Sequence, residues 1–258
     1  MIVLSIFVST QASSVYSVYN MVFTSIATLF STVFMSISFV LGQKYHEDIE
    51  KYKQLHDAFN SIFIGGMTII MSVTYILIIP FVELYTHGIS DVDYINTSFP
   101  IMFCLIQLLS WSRYVTGNLT GLAGYAKQTS WISLIEALTN VGLSVILVNF
   151  YGIIGVLIAT VVALPLKVIF CTWLSEIKIL KRNPIKALYI IGINYLLFAT
   201  VVFGSSKLKP IEIPNFGMFF VWGMILFVAF AIVGIILNYI VNPDLLKVVK
   251  IIKKSRGK

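Results

Sequence analysis

Three ionisable residues, Arg113, Glu136 and Lys167, lie inside long apolar runs of this 258-residue chain. A charge in hydrocarbon costs about 2.5–3.5 kcal/mol on insertion scales, so it faces a bundle interior or a wet cavity and marks an ion or substrate path. Two chemistries fit the set. Arg113 and Glu136 could form a buried ion pair that staples neighbouring helices, with Lys167 snorkelling back to the interface on its aliphatic stem. Equally, two cations against one carboxylate could line a basic cavity suited to an anionic head group, which an arginine grips in two places.

The elements that must position these residues follow from composition. Hydrophobic residues make up 58% and charged residues 11% of the chain, and the mean hydropathy is +0.93. A soluble domain carries about 25% charged residues, so most of this surface faces lipid. A spanning helix needs about 20 mostly apolar residues. Seven segments qualify, at about 15–41, 59–85, 99–121, 130–150, 153–177, 188–203 and 216–241. Residues 1–10 are apolar but half a span long and lack the basic start of a signal peptide; they are expected to be the tail end of a helix that begins earlier. The chain is thus expected to be an all-α integral membrane protein of about seven full transmembrane helices plus a truncated N-terminal one. Counted from the ends of their spans, Arg113, Glu136 and Lys167 sit roughly 12, 9 and 15 Å deep at 1.5 Å per residue, on one level.

The charge excess of +7 does not mark a nucleic-acid partner. Fourteen of the eighteen basic residues lie in alternate connections or in the C-terminal tail, while the intervening loops hold only Lys207 and Lys209. Basic connections stay cytoplasmic, so the C-terminus is expected inside. Asp91 and Lys209 are then expected outside. The stretch 42–57 mixes four acidic with three basic residues and two histidines, and is expected to form an amphipathic helix along the head groups. Cys104 and Cys171 have no companion ligands, so neither a metal nor a disulfide is expected, and no cofactor is called for.

Weaker signals concern packing. Pro165 removes a backbone hydrogen bond near Lys167 and should kink its span. Gly117 and Gly121 form a GxxxG step, by default a close helix contact, and Gly152 and Gly155 serve a tight turn. Asn20, Asn60, Gln107, Asn140 and Asn194 are expected to make interhelical hydrogen bonds. The pairs Tyr16/Tyr19 and Trp111/Tyr114 are expected to pack rather than to stack on a sugar.

The run VYSVYN (Val15–Asn20), following LSIFVST and leading into a long span, resembles the start of the C-terminal lobe in polysaccharide repeat-unit flippases. These are the O-antigen and capsular transporters of the multidrug/oligosaccharidyl-lipid/polysaccharide exporter superfamily. The stretch YGIIGVLIAT (Tyr151–Thr160) is similar to the outer turn of that family. The resemblance implies a second six-helix lobe over residues 1–180, two further helices over 181–241 and a basic cytoplasmic tail over 242–258, with a first lobe lying outside this chain. It also implies alternating access about a cationic cavity in the bacterial cytoplasmic membrane, which passes the sugar and diphosphate of an undecaprenyl diphosphate-linked oligosaccharide. Arg113, Lys167 and Glu136 are the cavity candidates; membrane lipids and other polysaccharide-assembly proteins are the implied partners. Two alternatives stay open. A cation-coupled drug exporter would use Glu136 for coupling. A membrane polymerase or ligase would need catalytic groups outside, where the longest loop offers only His87, Asp91 and Asp93.

Overall fold

The computed structural model describes residues 10–208, 211–243 and 245; helices joined by short connections make up these residues, with no strand among them. The elements are α1 (Thr10–Glu47), α2 (Ile49–Tyr85), α3 (Phe99–Trp111), α4 (Tyr114–Leu122), α5 (Ala126–Trp173), a π-helical turn (Leu174–Ile179), α6 (Ile185–Ser205) and α7 (Phe216–Val241). Five helices are long and apolar enough to cross a membrane: Thr10–Glu47, Ile49–Tyr85, Ala126–Ile179, Ile185–Ser205 and Phe216–Val241. The tail end of a helix expected over 1–10 and most of the basic tail lie outside the described residues.

Hydroxyls are abundant on α1, and the helix accommodates them by turning them inward on its own backbone. Ser25 Oγ donates to Met21 O at 2.8 Å and Thr32 Oγ1 to Thr28 O at 3.0 Å. Side-chain donors satisfied within the helix leave a surface that hydrocarbon can wet. A single residue, Asp48, separates α1 from α2. Its carboxylate accepts from Lys51 N at 3.1 Å, capping α2, and also pairs with Lys51 Nζ at 2.9 Å. Past this joint the helices run antiparallel, since Phe34 meets Phe63 with ring centroids 5.1 Å apart and Phe30 lies against Gly66. The amphipathic surface helix expected over 42–57 is therefore absent as a separate element. Those residues are the ends of two long helices, held in the bundle by buried Tyr52 and Leu55.

The expected third span is broken. Ser112 Oγ donates back to Leu108 O at 2.8 Å, Arg113 leaves helical geometry at φ −108°, ψ −2°, and α4 begins beyond it. Trp111 and Tyr114 stack across the break at 3.8 Å and join an aromatic core with Phe34 and Phe63. The fourth and fifth spans form one element folded on itself. Asn140 Nδ2 donates to Thr160 Oγ1 at 3.0 Å, whereas twenty residues of straight helix would separate them by about 30 Å. The reversal is at Gly152, with φ 56° and ψ −134°, a conformation open to glycine at low cost. This is the tight turn expected at Gly152, whereas at Pro165, within the second arm, the backbone angles stay helical.

α2 is the hub, packing on α3, α6 and α7. α7 seats on it through two glycines: a Cβ on Gly65 would come within 2.8 Å of Asn238 Nδ2, and one on Gly234 within 2.8 Å of Ile69. Asn194 and Asn238 exchange reciprocal amide hydrogen bonds of 2.9 and 3.0 Å between α6 and α7. Exposed side chains on α5 and α7 are largely apolar, Leu138, Phe220 and Ile235 among them, as lipid contact requires. The antiparallel order gathers Lys44, Lys51, Lys53, Lys127, Lys178, Lys181, Arg182 and Lys186 at one end of the bundle, hereafter the basic end.

Candidate functional site

Arg113, Glu136 and Lys167 come together because two turns bracket them. Arg113 stands eleven residues before Gly124 and Glu136 twelve after it; Gly124, at φ 81°, reverses the chain between α4 and α5. Equal arms bring the pair level, with Arg113 Nη2 3.8 Å from Glu136 Oε1. Gly152 does the same for Glu136 and Lys167, sixteen residues before it and fifteen after. Lys167 is accordingly within electrostatic reach of both Arg113 and Glu136.

The pair is incomplete. A charge-assisted hydrogen bond spans about 2.7–2.9 Å, so at 3.8 Å the guanidinium and carboxylate attract without bonding, and Arg113 Nε is buried with no partner. Both side chains remain partly open, at 24% and 16% exposure. The break at Ser112 and Arg113 makes this placement possible, because an unbroken helix would leave its arginine on a fixed 100° step from Ser112.

Beside this face, the GxxxG step is not a helix contact. A Cβ on Gly117 or Gly121 would meet nothing within 4 Å. The two glycines instead line a shallow groove with Thr120, Thr129, Ser130 and Ser133 between α4 and α5. The aromatic pairs do pack in the core, Tyr16 on Phe103 and Tyr19 on Phe99. Of the amides, Asn140 and Asn194 bond across helices, whereas Asn20 faces Tyr16 of its own helix and Asn60 Oδ1 has no partner.

A second charged cluster lies at the basic end, where the sequence was read for orientation and for an amphipathic surface helix. His56, Asp57 and Glu176 are buried, and Arg182 bridges the two carboxylates. Its Nε donates to Glu176 Oε2 at 2.6 Å, its Nη1 to Asp57 Oδ2 at 3.0 Å, and its Nη2 also bonds Asp57 Oδ1. Lys186 Nζ adds a contact to Asp57 Oδ2 at 2.9 Å. Burial by itself would disfavour the charge on Arg182; its hydrogen bonds to Glu176 and Asp57 outweigh that and push its pKa up. The π-helical turn carries Glu176 to this position. Leu180 N donates to Ser175 O at 2.8 Å, five residues back, and Ser175 Oγ fastens the turn to Thr116 O of α4 at 2.8 Å. Lys181, at φ 51°, then turns the chain so that Arg182 doubles back onto Glu176. By type and spacing His56, Asp57 and Glu176 could hold a metal ion, but the guanidinium already lies against both carboxylates, and the cluster is an ion-pair network joining α2, the π turn and α6. One signal in the sequence pointed here: Glu176 is an acid within the apolar run LSEIKIL, six residues before an arginine.

Comparison with family models, curated proteins and solved structures finds no match for this chain.

Proposed function

We propose that the chain exports undecaprenyl diphosphate-linked oligosaccharide repeat units across the bacterial cytoplasmic membrane by alternating access, for surface polysaccharide assembly, and that Arg113 and Lys167 hold the diphosphate. The incomplete pair carries this proposal. A guanidinium 3.8 Å from its carboxylate, with Nε unpartnered and a lysine on the same level, has donors to spare for an anion. Low local dielectric strengthens such contacts, and the planar fork of arginine matches two phosphate oxygens at once. Glu136 keeps the empty site from trapping any passing anion, by holding Arg113 until a doubly charged group displaces it.

The remaining features fit this role. The likeness of VYSVYN and YGIIGVLIAT to repeat-unit flippases supports the substrate class. The two arms of α5 and the broken α3–α4 pair, taken as three crossings, give seven passes with the helices α1, α2, α6 and α7. The basic end then faces the cytoplasm, with the C-terminus, by the bias of lysine and arginine toward cytoplasmic connections. The charged triad, in the half of the bilayer nearer that end, would meet a head group arriving from the cytoplasm while its lipid tail stays in the membrane. Transport of this kind makes and breaks no covalent bond, and the chain is proposed to act as a transporter rather than an enzyme.

The test is surface polysaccharide, normalised to membrane protein level, in cells whose own repeat-unit flippase is deleted. A hydrogen bond to a charged group contributes about 1.5–3 kcal/mol, so Lys167→Ala should lower export by about ten-fold or more at unchanged abundance. Arg113→Leu/Glu136→Leu should fold, because a buried pair is often no better than an apolar match, yet fail to export. Full export by both variants would overturn the proposal and leave the charges a helix staple. Export of a drug in place of the glycan, lost in Glu136→Gln, would favour the cation-coupled exporter.

A further inference from the structure

Arg113 stands at the break between α3 and α4 and belongs to neither helix. Two hydroxyls from other parts of the bundle tie down the residues around it. On one side Ser112 Oγ donates its proton to Leu108 O and therefore accepts, at 3.3 Å, from Tyr195 Oη of α6. On the other side Ser175 Oγ of the π-helical turn donates to Thr116 O at 2.8 Å, and Thr116 Oγ1 reaches back to Arg113 O at 3.2 Å. Ser112, Thr116 and Ser175 are all buried. Breaking the second tie would leave Ser175 Oγ unpaired inside the bundle, a state that folded proteins avoid.

Glu136 is framed in the same way. Before it, Thr129 Oγ1 donates to Thr120 Oγ1 of α4 at 3.1 Å; after it, Asn140 Nδ2 donates to Thr160 Oγ1 at 3.0 Å. The 3.8 Å between Arg113 Nη2 and Glu136 Oε1 is thus a distance between two pinned backbones. An approach of only about 1 Å would turn it into a charge-assisted hydrogen bond. We propose that Tyr195 and Ser175 are positioning residues for Arg113: their hydroxyls hold the break so that the guanidinium stops short of Glu136 and keeps its donors for an anion. The anion rests on the reading of Arg113 as a diphosphate-binding residue, whereas the hold on Arg113 does not.

The second tie has a firm outer anchor. Ser175 precedes Glu176, which Arg182 joins to Asp57 of α2. A strut therefore runs from the ion-pair network at the basic end through the π-helical turn and Thr116 to Arg113. The first tie brings in α6, whose Tyr195 also packs its ring against the core. A binding group works when its surroundings hold it to within about 0.5 Å of the productive geometry, and an arginine outside any helix needs that hold more than most. Without the ties the guanidinium closes on Glu136, and an arriving anion must first break that bond.

The test uses the chain in lipid nanodiscs, labelled with 15N-arginine. The sequence holds three arginines, Arg113, Arg182 and Arg256, and Arg113→Lys identifies the signal of the first. Tyr195→Phe and Ser175→Ala each delete one oxygen. Made separately, each should slow the exchange of the Arg113 guanidinium protons with water, because they become bonded to Glu136, and adding Glu136→Ala should reverse the slowing. Inorganic pyrophosphate, the soluble probe, should shift the Arg113 signal of the wild type and bind about ten-fold more weakly to either variant, as expected for one charge-assisted hydrogen bond. Exchange at Arg113 that is unchanged in both variants, slowing that survives Glu136→Ala, equal pyrophosphate affinity in all three proteins, or loss of helical circular dichroism in both variants would each overturn the proposal. Pyrophosphate that leaves the wild-type signal unmoved would instead remove the anion from Arg113, with the ties still judged by the exchange rates.

Discussion

Asn194 and Asn238 show how a membrane bundle makes a helix contact specific. Their two side-chain hydrogen bonds are supplemented by bonds from the same amides to Ile190 O and Gly234 O of their own helices, at 2.8 and 2.9 Å. Every donor is thus used, and Gly65 supplies the room that the Asn238 amide occupies. Asn194→Leu leaves Asn238 buried with one of its three side-chain bonds and should cost about 1–3 kcal/mol. The double variant Asn194→Leu/Asn238→Leu should recover much of this, since interhelical polar pairs in membranes contribute about 0.6 kcal/mol on average. Thermal unfolding in detergent checks the order: wild type, double variant, then single variant. A double variant less stable than the single one would show that the pair does more than satisfy its own amides.

Glycines separate two kinds of element contact. Gly155 sits where a Cβ would lie 2.3 Å from Leu147 O, a backbone atom that cannot step aside. Gly155→Ala should therefore open the α5 hairpin and destabilise the protein by about 1–3 kcal/mol, the usual cost of overpacking. Gly121→Ala meets nothing within 4 Å and should be neutral or slightly stabilising, as alanine is the better helix former. Melting temperatures of the two variants, side by side, decide whether the GxxxG step is a contact within this chain. That contrast also marks what was legible beforehand. Apolar run lengths located α7 to the residue, placed α1 and α6 with ends two to six residues short and started α2 ten residues late, because hydropathy sees the lipid-facing stretch and not the turns that project past it. The level of Arg113, Glu136 and Lys167 was readable by counting from span ends. The break at Ser112 and Arg113 was not, since hydroxyl bonds of the kind Ser112 makes to Leu108 O also occur along α1 without interrupting it. The network on Arg182 was hidden because Asp57 and Lys186 are far apart in sequence, and charges at helix ends look alike whether solvated or buried.

At the scale of the whole molecule the sidedness of charge is the main prediction. With the basic end in the cytoplasm, a cysteine at Lys51 or Lys254 should be shielded from an impermeant thiol reagent on intact cells, and one at Asp91 or Lys209 should react. Labelling at 51 without labelling at 91 would invert the orientation. The loop that carries Asp91 is itself tied to the bundle: Tyr19 Oη accepts from Asn96 N at 3.0 Å and donates to Tyr94 O at 3.2 Å. Tyr19→Phe should release this loop, seen as faster amide exchange at residues 92–96, while leaving α1 in place.

Asp48, the lone residue between α1 and α2, makes the two helices a pair of long levers on a short pivot. A change of about 5° at that joint would carry the far tip of α1, about 57 Å away, through about 5 Å. Phe34 meets Phe63 part-way along the arms, and nearer the far tip Tyr19 and Phe23 of α1 pack on Phe99 and Phe103 of α3. How far that tip can swing is thus set by rings on two neighbouring helices rather than by the pivot itself.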